Sequence, residues 1–356
     1  MGFPLPFGRG KGQGEGTFDW GSHVGMQSCP LTPTLSPSAG ERENRSAAGV
    51  SCCPFCRPLI ELAAMNTDAQ QEPTDARRAA AVRVKALEVP WFGKWLYYLF
   101  PYRRDVVLGN LRRVFADTLT DAELIRLAQA YYGHYVRFLV EIVKLPLMSA
   151  ARKKQFIRVE NMESPIAAHK QGKGLILLTG HFGNWEVSTV AGISQFPQFK
   201  GLFHFVRRPL KPELLNQLVT RRFRRAGFGT IAKRGSLDTI LDLLAGGAIV
   251  VYVFDQHAGG KEGVVVDFFG HPAGTFKSPA LIAMASGAPV IPATSWREPD
   301  GSHVLRFEDP IPLVDCEDTG EAIRRNTRAF NAALEHLLLQ HPEQWIWMHK
   351  RWKVKG

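Results

Sequence analysis

Short apolar runs alternate with helical stretches in the second half of the chain, and this alternation limits the possible folds more than any other feature. Three runs have the composition of buried strands: Leu175–Thr179 (LILLT), Ile249–Phe254 (IVVYVF) and Val290–Thr294 (VIPAT). Helical patterns at Ser236–Leu244 and Ser278–Ser286 precede the second and third runs. Continuous apolar strands between helices are typical of parallel sheets that are buried on both faces. We therefore predict an α/β fold in which helices cover a central, largely parallel or mixed sheet.

An aromatic segment at residues 89–102 (VPWFGKWLYYLFPY) precedes this region and is followed by two arginines. Lys94 and Pro101 interrupt it, and no stretch of the chain reaches the roughly 18 to 20 apolar residues that a spanning helix needs. Such a segment suits the membrane interface better than the bilayer core. A buried amphipathic helix stays open as an alternative, because Trp91, Trp95 and Leu99 fall at helical spacing.

Two helices are predicted after the aromatic segment. The apolar residues of Val106–Phe115 lie between arginines at helical spacing, and Thr120 to Glu123 (TDAE) forms a plausible N-terminal cap for a helix from Leu124 to about Leu147. Residues 89–150 are therefore predicted to be a helical segment close to the membrane.

The first 64 residues are rich in Gly, Pro and Ser and have neither a helical nor a strand period. Leu31–Glu43 (LTPTLSPSAGERE) resembles translated repetitive intergenic DNA, so we expect residues 1–64 to be a disordered, non-native extension and translation to begin at Met65. Cys53 and Cys56 have the spacing of a redox or zinc half-site, but no second pair follows, which favours incidental cysteines. Residues 65–88 are polar and Ala-rich, which suggests a tether or a frayed helix.

The formal net charge of +11 indicates an anionic partner, which could be nucleic acid, a phospholipid surface or an acidic carrier protein. A basic nucleic-acid-binding protein is disfavoured because the chain shows no recognisable helix-turn-helix, finger or aromatic RNA platform. Charge alone does not separate the other two partners.

The sharpest site candidate is the run from Leu178 to Glu186 (LTGHFGNWE). It joins the end of a predicted strand to a predicted helix, with Asn184 as the cap, and such strand-end turns commonly carry catalytic side chains. In one continuous helix His181 and Glu186 would lie roughly 140° apart, so they meet only if the Gly183-Asn184 break puts His181 on the loop. A neutral imidazole could then take a hydroxyl proton while the carboxylate fixes its tautomer.

The same His-x4-Glu spacing occurs twice more. His303 and Glu308 lie in an alternating run, HVLRFE, which predicts a strand with its polar groups on the surface. His257 follows Asp255 in another strand-end loop, so it could line the same cleft, although a catalytic role for it is disfavoured.

Basic residues cluster between the first two predicted strands, and their guanidinium groups could clamp phosphate. They include Arg207, Arg208, Lys233 and the run Arg221–Arg225 (RRFRR). For Arg221–Arg225 a solvated helix face is at least as good an interpretation, because consecutive arginines point all around a helix.

Several motifs together resemble the late acyltransferases of lipid A biosynthesis, which are glycerolipid acyltransferase-like enzymes. The resemblance covers roughly residues 90 to 353 and rests on Gly180–Glu186, Arg208-Pro209, Asp255-Gln256, Val266–Thr275 (VDFFGHPAGT), Gly287–Val290 (GAPV) and Glu343–Lys353 (EQWIWMHKRWK). The Phe276–Pro279 step and the lack of a long apolar anchor depart from that family's pattern.

This resemblance implies transfer of a fatty acyl chain from acyl carrier protein to a hydroxyl of a lipid A precursor, with no cofactor and no metal. His181 would be the general base, oriented by Glu186, within a catalytic domain at residues 151–356. The substrate-binding residues would be Gly183, Asn184, Arg207, Arg208, Lys233, Asp255, Gln256, Phe268, Phe269 and Gly270. Of these, Arg208 would bind a phosphate or polar group, and Asp255 with the Phe268–Gly270 turn would shape the pocket.

The resemblance also implies a peripheral or interfacially anchored protein on the cytoplasmic face of the inner membrane, with a glycolipid acceptor and an anionic membrane surface as partners. The donor could be coenzyme A instead of acyl carrier protein, and the acceptor could be another lipid, such as an ornithine lipid or an aryl polyene lipid. A lipid hydrolase that uses the same pair to activate water is a further alternative.

Overall fold

The structure is a computed structural model that describes residues 75–100, 102–193, 195–208, 211–233 and 235–353. The predicted extension at residues 1–64 and the Cys53–Cys56 pair lie outside the described residues. Residues 75–86 form a helix, α1, whose Ala80 and Val84 are buried in the main core. This stretch is therefore part of the folded body, where the sequence suggested a tether or a frayed helix.

Nine strands were found in the described part of the chain. They are β1 (Ile157–Glu160), β2 (Leu175–Thr179), β3 (Phe203–Arg207), β4 (Gly229–Ala232), β5 (Ile249–Val253), β6 (Gly263–Phe268), β7 (His271–Phe276), β8 (Val290–Arg297) and β9 (His303–Phe307). The strands β6 and β7 form a separate antiparallel hairpin.

The other seven strands form one sheet in the order β1-β9-β8-β2-β5-β3-β4. From β8 to β4 all neighbours are parallel, whereas β9 runs antiparallel to β8 and β1 runs parallel to β9. The fold prediction of a mostly parallel, mixed central sheet flanked by helices is confirmed.

In the described residues, ten further helices pack around the hairpin and the sheet. They are α2 (Trp91–Leu99), α3 (Arg104–Phe115), α4 (Asp121–Lys144), α5 (Ala150–Phe156), α6 (Glu163–His169), α7 (Trp185–Ile193), α8 (Glu213–Arg225), α9 (Leu237–Ala245), α10 (Ser278–Ser286) and α11 (Thr319–Gln340). Short 3-10 turns lie at Leu145–Leu147, Pro197–Phe199, Gly260–Glu262 and Pro342–Gln344.

Alternate residues of β2 enter two different cores, and this explains its unbroken apolar run. Ile176 and Leu178 pack into the cluster shared with α3, α4 and α11, while Leu175 and Leu177 pack into the cluster on the other face. Because both faces are covered, the strand carries no polar alternation.

The predicted cap of α4 is confirmed. The Thr120 hydroxyl accepts a hydrogen bond from the Glu123 amide, and the Glu123 carboxylate accepts one from the Thr120 amide at 2.7 Å. This reciprocal pair satisfies backbone donors that the first helical turn leaves free.

The aromatic segment forms α2, which lies on α4 with only Gly93 and Tyr97 of the helix buried. Gly93 is needed there, because a Cβ at that position would meet the Gln129 carbonyl. Trp91 is 77% exposed and Trp95 is 50% exposed. The stripe that would have been buried in the alternative interpretation therefore faces solvent.

No helix in the described part of the chain is long and apolar enough to cross a bilayer.

Candidate active site

His181 lies in the turn between β2 and α7, as its sequence context predicts. Asn184 caps the helix, because its side-chain oxygen accepts a hydrogen bond from the Val187 amide at 3.2 Å. Gly183 has φ of +51°, and a Cβ there would collide with the Ser295 carbonyl. The turn therefore needs glycine at this position both for its left-handed backbone and for its close approach to β8.

The carboxylate that holds His181 is that of Asp255, which is 1% exposed. One carboxylate oxygen accepts a hydrogen bond from His181 Nδ1 at 2.9 Å, and the other accepts from the His181 amide at 2.7 Å. Trp345 Nε1 donates to this second oxygen at 2.9 Å. Gly180 leaves room for this arrangement, since a Cβ on it would lie 2.9 Å from the carboxylate.

Sheet register brings His181 and Asp255 together. Thr179 is paired with Val253 in the parallel ladder of β2 and β5, and each of the two site residues lies two positions beyond its strand's paired residue. Because the carboxyl ends of neighbouring parallel strands meet at the same edge, the two loops emerge side by side.

The protonation of this pair follows from its surroundings. Burial opposes ionisation of Asp255, but the charge and hydrogen bonds of His181 outweigh it and hold the carboxyl pKa at about 2. An ionised carboxylate only accepts hydrogen bonds, so Nδ1 of His181 carries the proton. The Nε2 lone pair is then left to take a proton from another molecule.

Glu186 has a different partner from the one that the sequence predicted. Its carboxylate accepts a hydrogen bond from Arg222 Nη1 at 2.5 Å, and Arg222 Nη2 donates to the Ile142 carbonyl at 3.0 Å. Burial raises the pKa of Glu186, and the charge of Arg222 opposes that rise. Asp255 therefore occupies the orienting position expected of Glu186, while Glu186 and Arg222 form a second, partly buried pair.

An aromatic crevice leads to His181 from the side of α4. The Trp185 ring meets the imidazole edge-on with centroids 4.9 Å apart, and Phe138 lies 4.4 Å from Trp185. The crevice is lined by Tyr131, His134, Tyr135, Phe138, His181, Trp185, Gln344, Trp345 and Ile346. A larger open depression of about 530 Å³ between α2 and the first half of α4 is lined by none of the predicted site residues.

His349 supplies a second imidazole beside the first, with ring centroids 5.5 Å apart. Burial, followed by the charge of His181, lowers the pKa of His349 to about 4. Gln256 Nε2 lies 3.4 Å from His349 Nε2, so Gln256, predicted to bind substrate, sits next to this ring.

A buried ionic network lies behind the turn that carries His181. The Glu141 carboxylate accepts hydrogen bonds from Arg297 Nε at 2.5 Å and from Asn184 Nδ2 at 2.8 Å. Arg297 also meets His134 Nδ1 at 3.0 Å, and His303 Nε2 lies 3.4 Å from Glu141. The network thus fixes the cap of α7 to both α4 and the sheet.

The expectation that His303 lies on the surface is wrong, because its side chain is fully buried. The Phe156 ring lies 5.0 Å from the imidazole and covers the face of β9 that carries His303, whereas Arg306 on the opposite face is 42% exposed. His257, the other alternative, packs against Gly274 of the β6-β7 hairpin.

The predicted basic residues lie in three different settings. Arg207 is bound internally by Thr220 at 2.9 Å and Asn216 at 2.7 Å. The Arg208 side chain is largely exposed and lies 3.7 Å from Glu262. Lys233 Nζ lies 3.5 Å from the centroid of the Phe276 ring.

The predicted pocket-shaping turn contributes mainly buried structure. Phe268 and Phe269 are buried, and the Phe268 ring lies 6.3 Å from that of Trp345, which bonds Asp255. Gly270 is exposed and has φ of +78°. Phe268 therefore packs near the tryptophan that holds Asp255, and the predicted contact of both phenylalanines with a substrate stays a prediction.

Two features of the site carried no strong sequence signal. The pairing of Arg222 with Glu186 joins residues in different elements, and Glu141 was one helix residue among many. Asp255 was recognised only as a pocket residue, although its strand-end position matched that of His181.

Among the described residues, no group of three or more His, Cys, Asp and Glu could hold a metal ion.

Comparison with known proteins gives a consistent family. The family model for bacterial lipid A biosynthesis acyltransferases matches residues 87–354. A phosphatidylinositol mannoside acyltransferase of Mycolicibacterium smegmatis is 28% identical over 68% of this chain and 77% of its own length. A lipid A biosynthesis lauroyltransferase of Escherichia coli is 29% identical over 57% of this chain and 64% of its own length.

Proposed function

The chain belongs to the bacterial lipid A biosynthesis acyltransferase family, and from this premise we propose that it moves a fatty acyl chain from an acyl thioester to a hydroxyl of a lipid A precursor or related glycolipid. The observation that carries the proposal is the hydrogen bond of His181 to Asp255 beside an aromatic crevice. This is a base with a fixed tautomer, next to a narrow crevice with an aromatic lining.

In the proposed reaction, Nε2 of His181 removes the proton of the acceptor hydroxyl while its oxygen attacks the thioester carbonyl. The tetrahedral oxyanion then collapses, the carbon–sulfur bond breaks, and the thiolate takes the proton from the imidazolium. Asp255 stabilises that imidazolium through Nδ1, 2.9 Å away. The products are an ester and a free thiol, so the enzyme supplies positioning and base catalysis.

Glu186 supports this chemistry indirectly in our proposal. Its bond to Arg222 holds a guanidinium beside the first turn of α7, the helix that begins at Trp185. A guanidinium suits the phosphate of a donor or acceptor, and it would stabilise developing negative charge. Arg208 is a further candidate for a phosphate, because its side chain is largely exposed.

We propose a glycolipid acceptor because both relatives named above act on glycolipids according to their names. Acyl carrier protein is the proposed donor, and the basic surface of the chain favours such an acidic partner. The exposed aromatic face of α2 supports a peripheral position on the cytoplasmic face of the inner membrane, since tryptophans favour the interface.

The test is transfer of a labelled acyl chain from acyl carrier protein to glycolipid by the full chain and by His181→Ala. We expect His181→Ala to lose transfer and keep its melting temperature, while His336→Ala, a change at an exposed histidine, stays close to wild type. Near-normal turnover by His181→Ala would remove this residue from the mechanism. Release of free fatty acid with no acyl lipid formed would indicate a hydrolase instead.

A second assay addresses the acceptor. Mass spectrometry of lipids from cells with and without the protein should show one acyl chain fewer on a glycolipid when the protein is absent. A change confined to an ornithine lipid or an aryl polyene lipid would replace the proposed acceptor.

A further inference from the structure

An apolar stripe runs along the outer side of the last two turns of α4. Leu139 and Val140 are more than two-fifths exposed, Val143 is 70% exposed, and Leu147 in the following 3-10 turn is 83% exposed. These positions recur at helical spacing, so they share one face. Exposed apolar side chains grouped on one helix face make this stripe a candidate interaction site.

A second stripe lies on α8, which contacts the same end of α4. Leu214, Leu218, Arg221 and Arg225 are spaced by four, three and four residues, and all four are exposed. The bond from Arg222 to the Ile142 carbonyl ties this helix to α4 one residue before Val143. The stripes on α4 and α8 therefore lie on either side of the contact between Arg222 and the Ile142 carbonyl.

Positive charge surrounds both stripes. Residues 137–156 contain five cations and one carboxylate, and residues 211–226 again contain five cations and one carboxylate. The first carboxylate, Glu141, is turned inward onto Arg297, and the second, Glu213, accepts hydrogen bonds from Asn216. Within the described part of the chain, the exposed side chains of Arg221, Arg224 and Arg225 form no ion pair.

The stripe on α4 is continuous with the exposed aromatic face of α2. Arg137 lies over the Phe92 ring at 5.7 Å, one turn before Val140, while Gln129 meets Tyr98 at the other end. Since α2 thus runs antiparallel to α4, its Trp91 end lies beside the start of the stripe.

We propose that the outer side of α4 and α8, defined as Leu139, Val140, Val143, Leu147, Leu214, Leu218, Arg221 and Arg225, is the surface that docks on an anionic lipid bilayer. An apolar strip with a basic rim matches the acyl region and the phosphates of such a surface. The inference rests on the proposed function, because a lipid acceptor would reach His181 from this side. Phe138 and Trp185 connect the α4 end of the surface to the imidazole.

The first experiment measures flotation of the full chain with vesicles of phosphatidylglycerol and phosphatidylethanolamine. We expect the double variant Val143→Ser with Leu147→Ser to partition at least about tenfold less, from the loss of several buried methyl and methylene groups. The matched control is Val82→Ser with Val265→Ser, which replaces two exposed apolar residues elsewhere and should stay within about twofold of wild type.

The second experiment tests the charged rim. Arg221→Ser with Arg225→Ser should lower partition about tenfold on the anionic vesicles and leave binding to pure phosphatidylcholine unchanged. Raised salt should remove the difference. The control, Arg324→Ser with Arg325→Ser, removes two exposed arginines that pair with Glu321 on α11.

Three results would overturn the proposal. The first is flotation at the wild-type level by both Val143→Ser with Leu147→Ser and Arg221→Ser with Arg225→Ser. The second is a higher KM of Arg221→Ser with Arg225→Ser for acyl carrier protein with unchanged flotation, which would assign the surface to an acidic protein. The third is a dimer that Val143→Ser with Leu147→Ser dissociates while flotation stays the same. His181→Ala should float like wild type, so a failure of the proposed catalysis is distinguishable from a failure of docking.

Discussion

Asparagine at position 255 would keep the shape of the buried carboxylate and change only its hydrogen-bonding pattern. The carboxylate accepts three hydrogen bonds, from the His181 amide, His181 Nδ1 and Trp345 Nε1. An amide has one acceptor atom and one donor atom, so it can no longer accept hydrogen bonds at both positions of the carboxylate oxygens.

The two orientations of the amide have different energies. If its NH₂ faced the His181 amide and Trp345 Nε1, two buried donors would lose their partner, at about 1–3 kcal/mol each. If instead the NH₂ faced His181 Nδ1, the imidazole would move its proton to Nε2 and satisfy every group. The second orientation is therefore favoured, and it leaves Nε2 unable to accept a proton.

The expected result of Asp255→Asn is a folded protein with little catalysis. The equivalent change in a serine-protease triad lowers kcat by about 10⁴, and we expect a loss of roughly 10³ to 10⁴ here, or about 4–5 kcal/mol of transition-state stabilisation. KM should change little, because Asp255 is almost wholly buried. Nitrogen NMR of His181 should show the proton on the other ring nitrogen.

The matched control is Asp267→Asn, which alters a partly exposed carboxylate near Arg328 and should leave kcat within about twofold. The reasoning is refuted if Asp255→Asn keeps more than about a tenth of wild-type kcat with an unchanged imidazole tautomer.

Further predictions concern the two other charged groups of the site region and a buried histidine. Arg222→Met should raise the already elevated pKa of Glu186 further, since the charge of Arg222 opposes that rise, and carbon NMR of the Glu186 carboxyl during a pH titration should show the shift. Glu141→Gln should lower the free energy of unfolding by about 3–5 kcal/mol in urea titrations, because it leaves the buried Arg297 without its carboxylate. Burial and then the charge of Arg297 lower the pKa of His134 to about 3, so its neutral form stabilises the fold above its unfolded pKa of about 6.5, and stability should fall as pH drops from there towards 3. His134→Phe should flatten that part of the urea-stability profile, and an unchanged slope would contradict the assignment.

Features governed by neighbouring residues were predictable from the sequence. The apolar run of β2 gives its strand bounds as Leu175–Thr179, and the Thr120 and Glu123 spacing gives the cap of α4. Each depends on a hydrophobic period or on a side chain three residues from its partner, which the sequence displays directly.

The identity of the carboxylate that pairs with His181 could not be predicted, because it depends on the order of strands in the sheet. The pattern of strands along the sequence leaves that order open. The β2-β5 pairing places Asp255 beside His181, whereas a different order would have placed another loop there. The prediction that His303 lies on the surface failed for a related reason. Alternation along a strand shows that the strand has two faces, but it does not show what covers each face.

Helix α4 connects the His181 turn to the proposed docking surface through contacts on opposite sides of the same two helical turns. Inward, Glu141 bonds Asn184 at the cap of α7, and the Ile142 carbonyl accepts from Arg222, the partner of Glu186. Outward, Val140 and Val143 flank these two residues and lie exposed. A shift of this helix relative to the sheet would therefore move the cap of the His181 turn and the second charged pair together, while the bond from His181 to Asp255 would stay within the sheet edge. The ionic bonds of Glu141 to Arg297 oppose such a shift, because separating them would leave a buried guanidinium unpaired. Rigid attachment of this one helix thus keeps His181 and the proposed docking surface in a constant relative position.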